Sequence, residues 1–438
     1  MKEPQTQQLH TLCELIVDCP HSTPKWTESG YVVLRNQNIR GGRLDLSSPS
    51  FTDEEHYNYR IKRGVPSTGD LVLTREAPMG EVCAIPEGLE CCLGQRMVLI
   101  RPTTSKLDSQ YLLYALQGRA LQHQIGWNKG TGTTVSNLRI PVLKALEVPV
   151  LPLDEQKIIS AKLKALDDKI ALNRRQNETL EAMAQALFKS WFVDFDPVID
   201  NALEAGHDIP EPLRARAKRR RAVLAGGQYP RLDAEVRGLF PDRFVWQEAL
   251  GKWCPAGWEE VTLEEFVVQT KRSAIPAEIE SNTPYIGLQQ MPRNSIALSA
   301  WKTGEEVESN KYRFSKGDIL FGKLRPYFHK VGVAPTDGVC STDILVLQPA
   351  KSHFRGVAIS LMSSKDVVDY ATSSATGTRM PRASWKYLCK YPIPKYPDTL
   401  CQYFSNHIAP ALGKIQANVY QSTNLASLRD LLLGELIG

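Results

Sequence analysis

No stretch of this sequence approaches the roughly 18 uninterrupted apolar residues of a bilayer span, so no transmembrane helix and no membrane partner are expected. Residues 1–10 lack the apolar core of a secretory signal. The nine cysteines are odd in number and form no CxxC, which argues against a disulfide framework and for reduced thiols in a cytosolic protein. The vicinal pair Cys91-Cys92 reads as two small apolar residues at a strand end. A strong charge of one sign is also missing. A net charge of +5 permits a nucleic-acid partner without demanding one. The eight histidines show neither H-x-x-x-H nor H-x-E spacing, so no metal site is expected. No G-x-G-x-x-G opens a helix after a strand, and no Asn/Asp-Pro-Pro-aromatic motif could grip a flipped base. Residues 317–323 fit the start of a phosphate-binding loop, but Leu324 stands where Ser or Thr must hold magnesium. Asp194 and Asp196 read as a helix C-terminal turn rather than a catalytic pair. The chain is expected to be non-catalytic and to bind no cofactor.

What is present is a repeat. Gly132-Thr133 returns as Gly377-Thr378, Leu143 as Leu388, Pro149 as Pro394, Pro152 as Pro397 and Ser160 as Ser405, all at a spacing of 245. The register holds through Lys169/Lys414, Ile170/Ile415, Asn173/Asn418, Gln176/Gln421 and Leu180/Leu425, giving 11 identities over 49 ungapped positions. Upstream, Gly69-Asp70-Leu71 corresponds to Gly317-Asp318-Ile319 at a spacing of 248, so a small indel separates the two registers. The duplication predicts two similar domains related by a pseudo-twofold.

Each copy is β-rich first and helical afterwards. Short apolar runs around Tyr31–Leu34, 70–73 and 97–100, bounded by Gly, Pro and Ser, predict strands. In the second copy the same design falls at 284–287, 317–321 and 343–347, and short helices are predicted around 110–124 and 354–370. Ile159, Leu163, Leu166, Ile170, Asn173, Asn177, Leu180, Ala184, Leu187 and Trp191 then alternate spacings of four and three, a heptad seam. Pro152 followed by Asp154 and Glu155 suits its start. Roughly forty residues at ~1.5 Å each make a rod of about 60 Å. Ile408, Ile415, Asn418, Leu425 and Leu432 occupy matching positions in the second copy, and both seams turn polar at the same depth. The two helices are expected to pair antiparallel, with Pro410 kinking or delaying the second. The seam residues are also the candidates for a subunit interface. The fold class is therefore α+β: two β-rich domains in pseudo-twofold tandem, separated by two long antiparallel coiled-coil helices. Its divisions are 1–150 and 257–396 for the β-rich domains, 151–195 and 397–438 for the helices, and 196–256 for a linker. That linker carries a basic run over residues 214–221, open to a phosphate role or to a solvated helical face.

The β-rich parts offer guanidinium and amide groups on loops beside strands. Arg35, Asn36, Asn38, Arg40 and Arg43 follow the strand at Tyr31–Leu34, and Gln289, Gln290 and Arg293 follow its counterpart. Arg reads guanine bidentately and Asn or Gln reads adenine, so such clusters suit the major groove of double-stranded DNA. Lys323, Arg325 and Tyr327 lie on another loop, matched by Arg75. Lys129, Thr131 and Thr133, and Thr378 with Arg379, offer hydroxyls and cations suited to phosphates.

Residues 150–159 continuing to 187–195, together with residues 18–24, the Gly-Asp strand starts and 255–258, resemble the specificity subunits of type I restriction-modification systems. The resemblance spans nearly the whole chain. It implies a DNA-reading subunit whose two target-recognition domains each grasp one half of a split site. Two methyltransferase subunits would dock along the long helices and use S-adenosylmethionine on a flipped adenine. Restriction-translocase subunits would join to cleave unmodified DNA. Half-sites about one helical turn, near 34 Å, apart would suit a rod of this size. Leu400-Cys401 departs from Glu155-Gln156 of the first copy, which leaves the second dock less defined. Two other readings stay open: the specificity subunit of a related system with a fused methyltransferase-nuclease partner, and a tandem-domain scaffold without DNA contact.

Overall fold

Residues 5–127, 137–227, 232–377 and 380–437 are described in the computed structural model. The chain divides into two units, Met1–Ile170 with Asn424–Gly438, and Ala171–Thr423. In the first, strands β1 (Cys13–Asp18), β2 (Leu71–Thr74), β3 (Val82–Ala84) and β4 (Met97–Pro102) form an antiparallel sheet in the order β1-β4-β2-β3. In the second, β5 (Val267–Thr270), β6 (Ile319–Gly322), β7 (Val331–Val333) and β8 (Ile344–Pro349) repeat it as β5-β8-β6-β7. Each unit adds a parallel pairing, Tyr31–Leu34 with Cys91–Leu93 and Tyr285–Ile286 with Gly338–Cys340. The repeat is therefore one topology used twice.

The Gly-Asp turns show why those residues recur. Gly69 and Gly317 sit at φ +84° and +90°, where a side chain would be strained. Gly69 N–H donates to Ile85 O at 3.0 Å and Gly317 N–H to Ala334 O at 2.8 Å. Asp70 accepts from Ser67 N–H at 2.9 Å, and Asp318 from Ser315 N–H at 2.8 Å. The carboxylate closes the turn that the glycine permits, and the strand then enters the core. Residues 319–322 are thus a buried strand, followed by the 3-10 turn Pro326–Phe328 and not by the helix a phosphate loop needs. Cys91 and Cys92 are buried in their strand, and burial pushes their thiols up to about 12 and about 11.

The long helices are Leu153–Phe188, closed by a π-turn at Lys189–Val193, and Asp398–Leu436. They run antiparallel in both units. In the first, Arg429 donates to Asp167 at 2.8 Å. In the second, Asn173 donates to Gln421 at 2.9 Å, Asn418 to Asn177 at 2.8 Å, and the rings of Phe188 and Phe404 lie 5.9 Å apart. Pro410 neither ends nor delays the second helix. The proline and Asn406, whose carbonyl loses its donor, both face solvent, so water can take the place of the missing bond. Gln156 is fully buried, donating to Leu151 O at 2.8 Å and accepting from Asp108 N–H at 2.8 Å. Its counterpart Cys401 is buried beside Leu400, so the departure replaces a polar clamp with apolar packing.

The stretch 196–256, expected as a linker, is folded. It carries helices Asp196–Ala205, Arg214–Gly226 and Ala234–Arg237 and a hairpin of Phe244–Gln247 with Lys252–Pro255. Val198, Val236 and Phe240 join the second unit's core, beside the aromatic group of Trp191, Phe192 and Trp258. Two of the six cations of the basic run are consumed there. Arg216 pairs with Asp196 at 2.6 Å and with Asp194 at 2.8 Å, and Arg220 pairs with Asp200. Those pairs also account for Asp194 and Asp196 structurally. No helix among the described residues is long and apolar enough to cross a membrane.

Candidate nucleic-acid interface

The loop after each parallel strand starts with the same turn. In the first unit Arg35 N–H donates to Asn38 Oδ1 at 2.9 Å while Asn38 N–H donates to Arg35 O at 2.8 Å. In the second, Gly287 N–H donates to Gln290 Oε1 at 3.1 Å and Gln290 N–H to Gly287 O at 3.1 Å. Asn38 and Gln290 therefore clamp the turn. Asn38 is buried, and its amide also donates to Asp45 O at 2.9 Å. Neither is free to read a base. Between the clamped ends, Gln37 and Gln289 occupy one equivalent position, and both are exposed. The sequence alone singles out Gln289 together with Gln290, but in the first unit only the neighbours of Gln37, because side-chain type does not say which amide the turn consumes.

Three more candidates are spent on structure. Arg75 is buried, donating to Asp18 at 2.7 Å, Leu138 O at 2.9 Å and Asn137 Oδ1 at 3.2 Å. Arg43 reaches Asp167 on the first long helix at 3.1 Å, which anchors the hairpin of Ile39–Arg40 and Arg43–Leu44. Asn36 donates to Glu76 O, and its own Oδ1 is buried without a partner. Arg35 and Arg40 stay exposed. The Arg35 guanidinium lies 5.0 Å over Trp26, itself 45% exposed. A ring under a guanidinium limits its rotamers and orients its fork, so Trp26 is a positioning residue the sequence did not reveal.

The second unit repeats the device with other residues. Arg293 is exposed and lies 4.1 Å over Phe328, next to exposed Tyr327. Arg325 adopts φ +51° and donates its N–H to Pro381 O at 2.8 Å, joining this loop to residues 381–383. Lys323 is half-buried at the end of β6. Burial holds its ammonium below the usual lysine range, with Lys271 and Arg382 adding to the effect and Asp343 opposing it. Loop 294–297 beyond Arg293 is fixed by Glu181 on the first long helix. That carboxylate accepts from Ser295 Oγ at 2.8 Å, Ile296 N–H at 2.9 Å and Ala297 N–H at 3.2 Å. Burial raises its pKa against the pull of those bonds. Lys129, Thr131, Thr133, Thr378 and Arg379 lie outside the described residues.

The seam residues are occupied within the chain. Leu163 and Ile159 belong to the first core with Leu432, while Trp191, Ile408 and Ile415 belong to the second, flanked by Leu180 and Leu187. Ile170 is buried, Leu166 and Leu425 are half-buried, and Asn173 and Asn418 bond across the pair. An interface to another subunit therefore needs other residues. The apolar side chains that the long helices leave exposed include Ile158, Leu172, Met183 and Leu431.

Residues 10–182 match the family model of the type I restriction modification DNA specificity domain. The chain is similar to the specificity subunit of the type I restriction enzyme MjaIX of Methanocaldococcus jannaschii, 23% identical over 381 residues, covering 84% of this chain and 77% of that one. A stretch of 107 residues is 66% identical to the specificity subunit of the Haemophilus influenzae type I enzyme HindI, 24% of this chain and 22% of the relative. The crystal structure of the type I system S subunit from M. genitalium shares the fold, with a TM-score of 0.51 at 17% identity over 99% of this chain and 96% of that one.

Proposed function

We propose that the chain is a specificity subunit of a type I restriction-modification system, each of whose β-rich units reads one half of a split DNA target while partner subunits supply the chemistry. The observation that carries this is the turn built twice. An amide at one equivalent place, Gln37 or Gln289, stands exposed in each unit, with Arg35 or Arg293 propped on an aromatic ring nearby. Amide and guanidinium forks on rigid turns match the donor and acceptor pairs of adenine and guanine in the major groove. A good bidentate pair of this kind discriminates by about 1–3 kcal/mol.

The chain is a non-catalytic reader in this account. Methyltransferase subunits bring S-adenosylmethionine and act on an adenine taken out of the stack, and a restriction subunit joins them for cleavage. The test is to mix the chain with its methyltransferase subunit and map the methylated adenines. A two-part motif is expected. Arg35→Ala or Gln37→Ala relaxes one half only, and Gln289→Ala or Arg293→Ala the other. Methyl transfer by the chain alone refutes the non-catalytic role, and a motif untouched by all four variants refutes the reading turns.

A further inference from the structure

One junction, where β2 or β6 leaves the sheet, has the same backbone in both units and different electrostatics. In the first unit Arg75 N–H donates to Arg96 O at 2.8 Å and Leu138 N–H donates to Arg75 O at 3.0 Å. In the second, Lys323 N–H donates to Asp343 O at 2.8 Å and Ala383 N–H to Lys323 O at 3.0 Å. Strand register extends the correspondence. Val17 faces Leu99 as Thr270 faces Val346, so Asp18 and Lys271 are equivalent next residues. Asn137 and Arg382, one before the donating N–H, correspond, as do Glu76 and Leu324, one after the strand-end cation.

The first junction neutralises itself. Arg75 pairs with Asp18 at 2.7 Å, Arg96 with Glu76 at 3.0 Å, and Asn137 donates to Glu76 at 2.6 Å. Two cations meet two carboxylates. In the second, Lys271, Lys323 and Arg382 surround a single acid, Asp343, which Arg382 contacts at 3.0 Å. Three cations less one carboxylate leave a charge of +2. Lys271 is exposed, Arg382 is 49% exposed, and neither Lys271 nor Lys323 has a carboxylate within ion-pair distance among the described residues. Like charges so grouped repel, which is tolerable when an anion completes the site.

We propose that Lys271, Lys323 and Arg382 grip two backbone phosphates of the DNA, and that the first unit has no such grip at the equivalent place. The inference rests on the DNA-reading function and adds an asymmetry to it: one half of the target is held by charge at this point, the other is not. Phosphate contacts position the duplex without reading sequence. They also release counterions, so each contributes about −0.9 to the slope of log affinity against log salt.

The measurement is that slope, for the chain assembled with its methyltransferase subunit on a duplex carrying the mapped site. Lys271→Gln and Arg382→Gln are each expected to lower it by about 0.9, together by about twice that, with the methylated motif unchanged. Leu324→Glu, which places the first unit's acid at the equivalent position and removes no cation, lowers it as well. Arg96→Gln in the first unit leaves it unchanged. Unaltered slopes in the cluster variants overturn the proposal, as does loss of a base from the motif, which would make the cluster a base reader. If the wild-type assembly reads no site, the DNA-reading function itself fails. The slopes on a mixed-sequence duplex, where phosphate contacts need no sequence, then decide the cluster alone.

Discussion

Asp167 is expected to hold the first unit's recognition hairpin in place. Its Oδ1 accepts from Arg43 at 3.1 Å and Arg429 at 2.8 Å, and its Oδ2 accepts from the Tyr114 hydroxyl at 2.9 Å. One carboxylate on the first long helix thus ties together the hairpin, the second long helix and a core tyrosine. Asp167→Asn keeps the shape and removes the charge. Arg429 retains Asp430 at 2.7 Å, but Arg43 is left without a carboxylate. A bond to a charged group contributes roughly 1.5–3 kcal/mol and a neutral one about half of that. The Asp167 side chain is 21% exposed, so solvent screening trims the difference, and the loss should be about 1–2 kcal/mol. Asp167→Ala also strands the hydroxyl of Tyr114, a residue only 2% exposed, and should cost about 3 kcal/mol. Amide hydrogen exchange of residues 39–44 reports the hairpin directly, and a loss of ~1.4 kcal/mol appears as about tenfold lower protection. In the assembled enzyme, Asp167→Asn should relax only the half of the motif that Arg35→Ala relaxes. The decisive control is the cycle with Arg43→Gln, where a coupling near 1 kcal/mol is expected. Additivity within about 0.3 kcal/mol would refute the anchoring role.

Glu181→Gln should flatten the pH dependence of the second unit's stability. Burial raises the Glu181 pKa, so the folded state takes up the proton first; that stability is complete below the unfolded value near 4.3 and lost as pH rises through the folded value. Urea midpoints of wild type that fail to fall on this rise, or that fall equally in Glu181→Gln, would contradict the assignment. Asn418→Leu alone should cost about 1 kcal/mol, because buried Asn177 Oδ1 loses its 2.8 Å donor while the unpartnered Oδ1 of Asn418 disappears. Asn177→Leu combined with Asn418→Leu should recover that loss in urea unfolding, and a double variant as unstable as the sum of the singles would exclude a polar layer of this kind.

The parts legible in the sequence are those where residue type and conformation determine each other. A heptad seam means a helix pair, and Gly-Asp before an apolar run means a left-handed turn closed by a carboxylate, which occurs in both units. Recognition residues are not of that kind. An arginine in a loop can face DNA, as Arg35 can, or be buried among Asp18, Asn137 and Leu138, as Arg75 is. Asn38 and Gln290 look like base readers by type and are turn clamps by position. Which role a polar side chain takes depends on partners distant in sequence, Asp167 for Arg43 being 124 residues away. That Pro410 does not delay the helix has the same reason: its cost depends on which helix face reaches water, and Asn406 does.

The two units diverge where divergence is cheap. Replacing Asn38 by Gln290 preserves the clamp, since either amide oxygen can reach an N–H three residues back. Strand order and the Gly-Asp turns are equally fixed, because a change there would expose core or strand the backbone. The tips carry no such constraint. Trp26 under Arg35 and Phe328 under Arg293 come from different segments of their units, so the prop was reached by different routes. At the strand-end junction the charges have reversed around an unchanged backbone, Asp18 against Lys271 and Arg96 against Asp343. A scaffold whose hydrogen bonds are made by backbone and clamp can exchange every exposed side chain without refolding. That freedom lets one duplicated unit carry two different exposed faces, so the symmetry of the fold does not extend to the side chains its loops present.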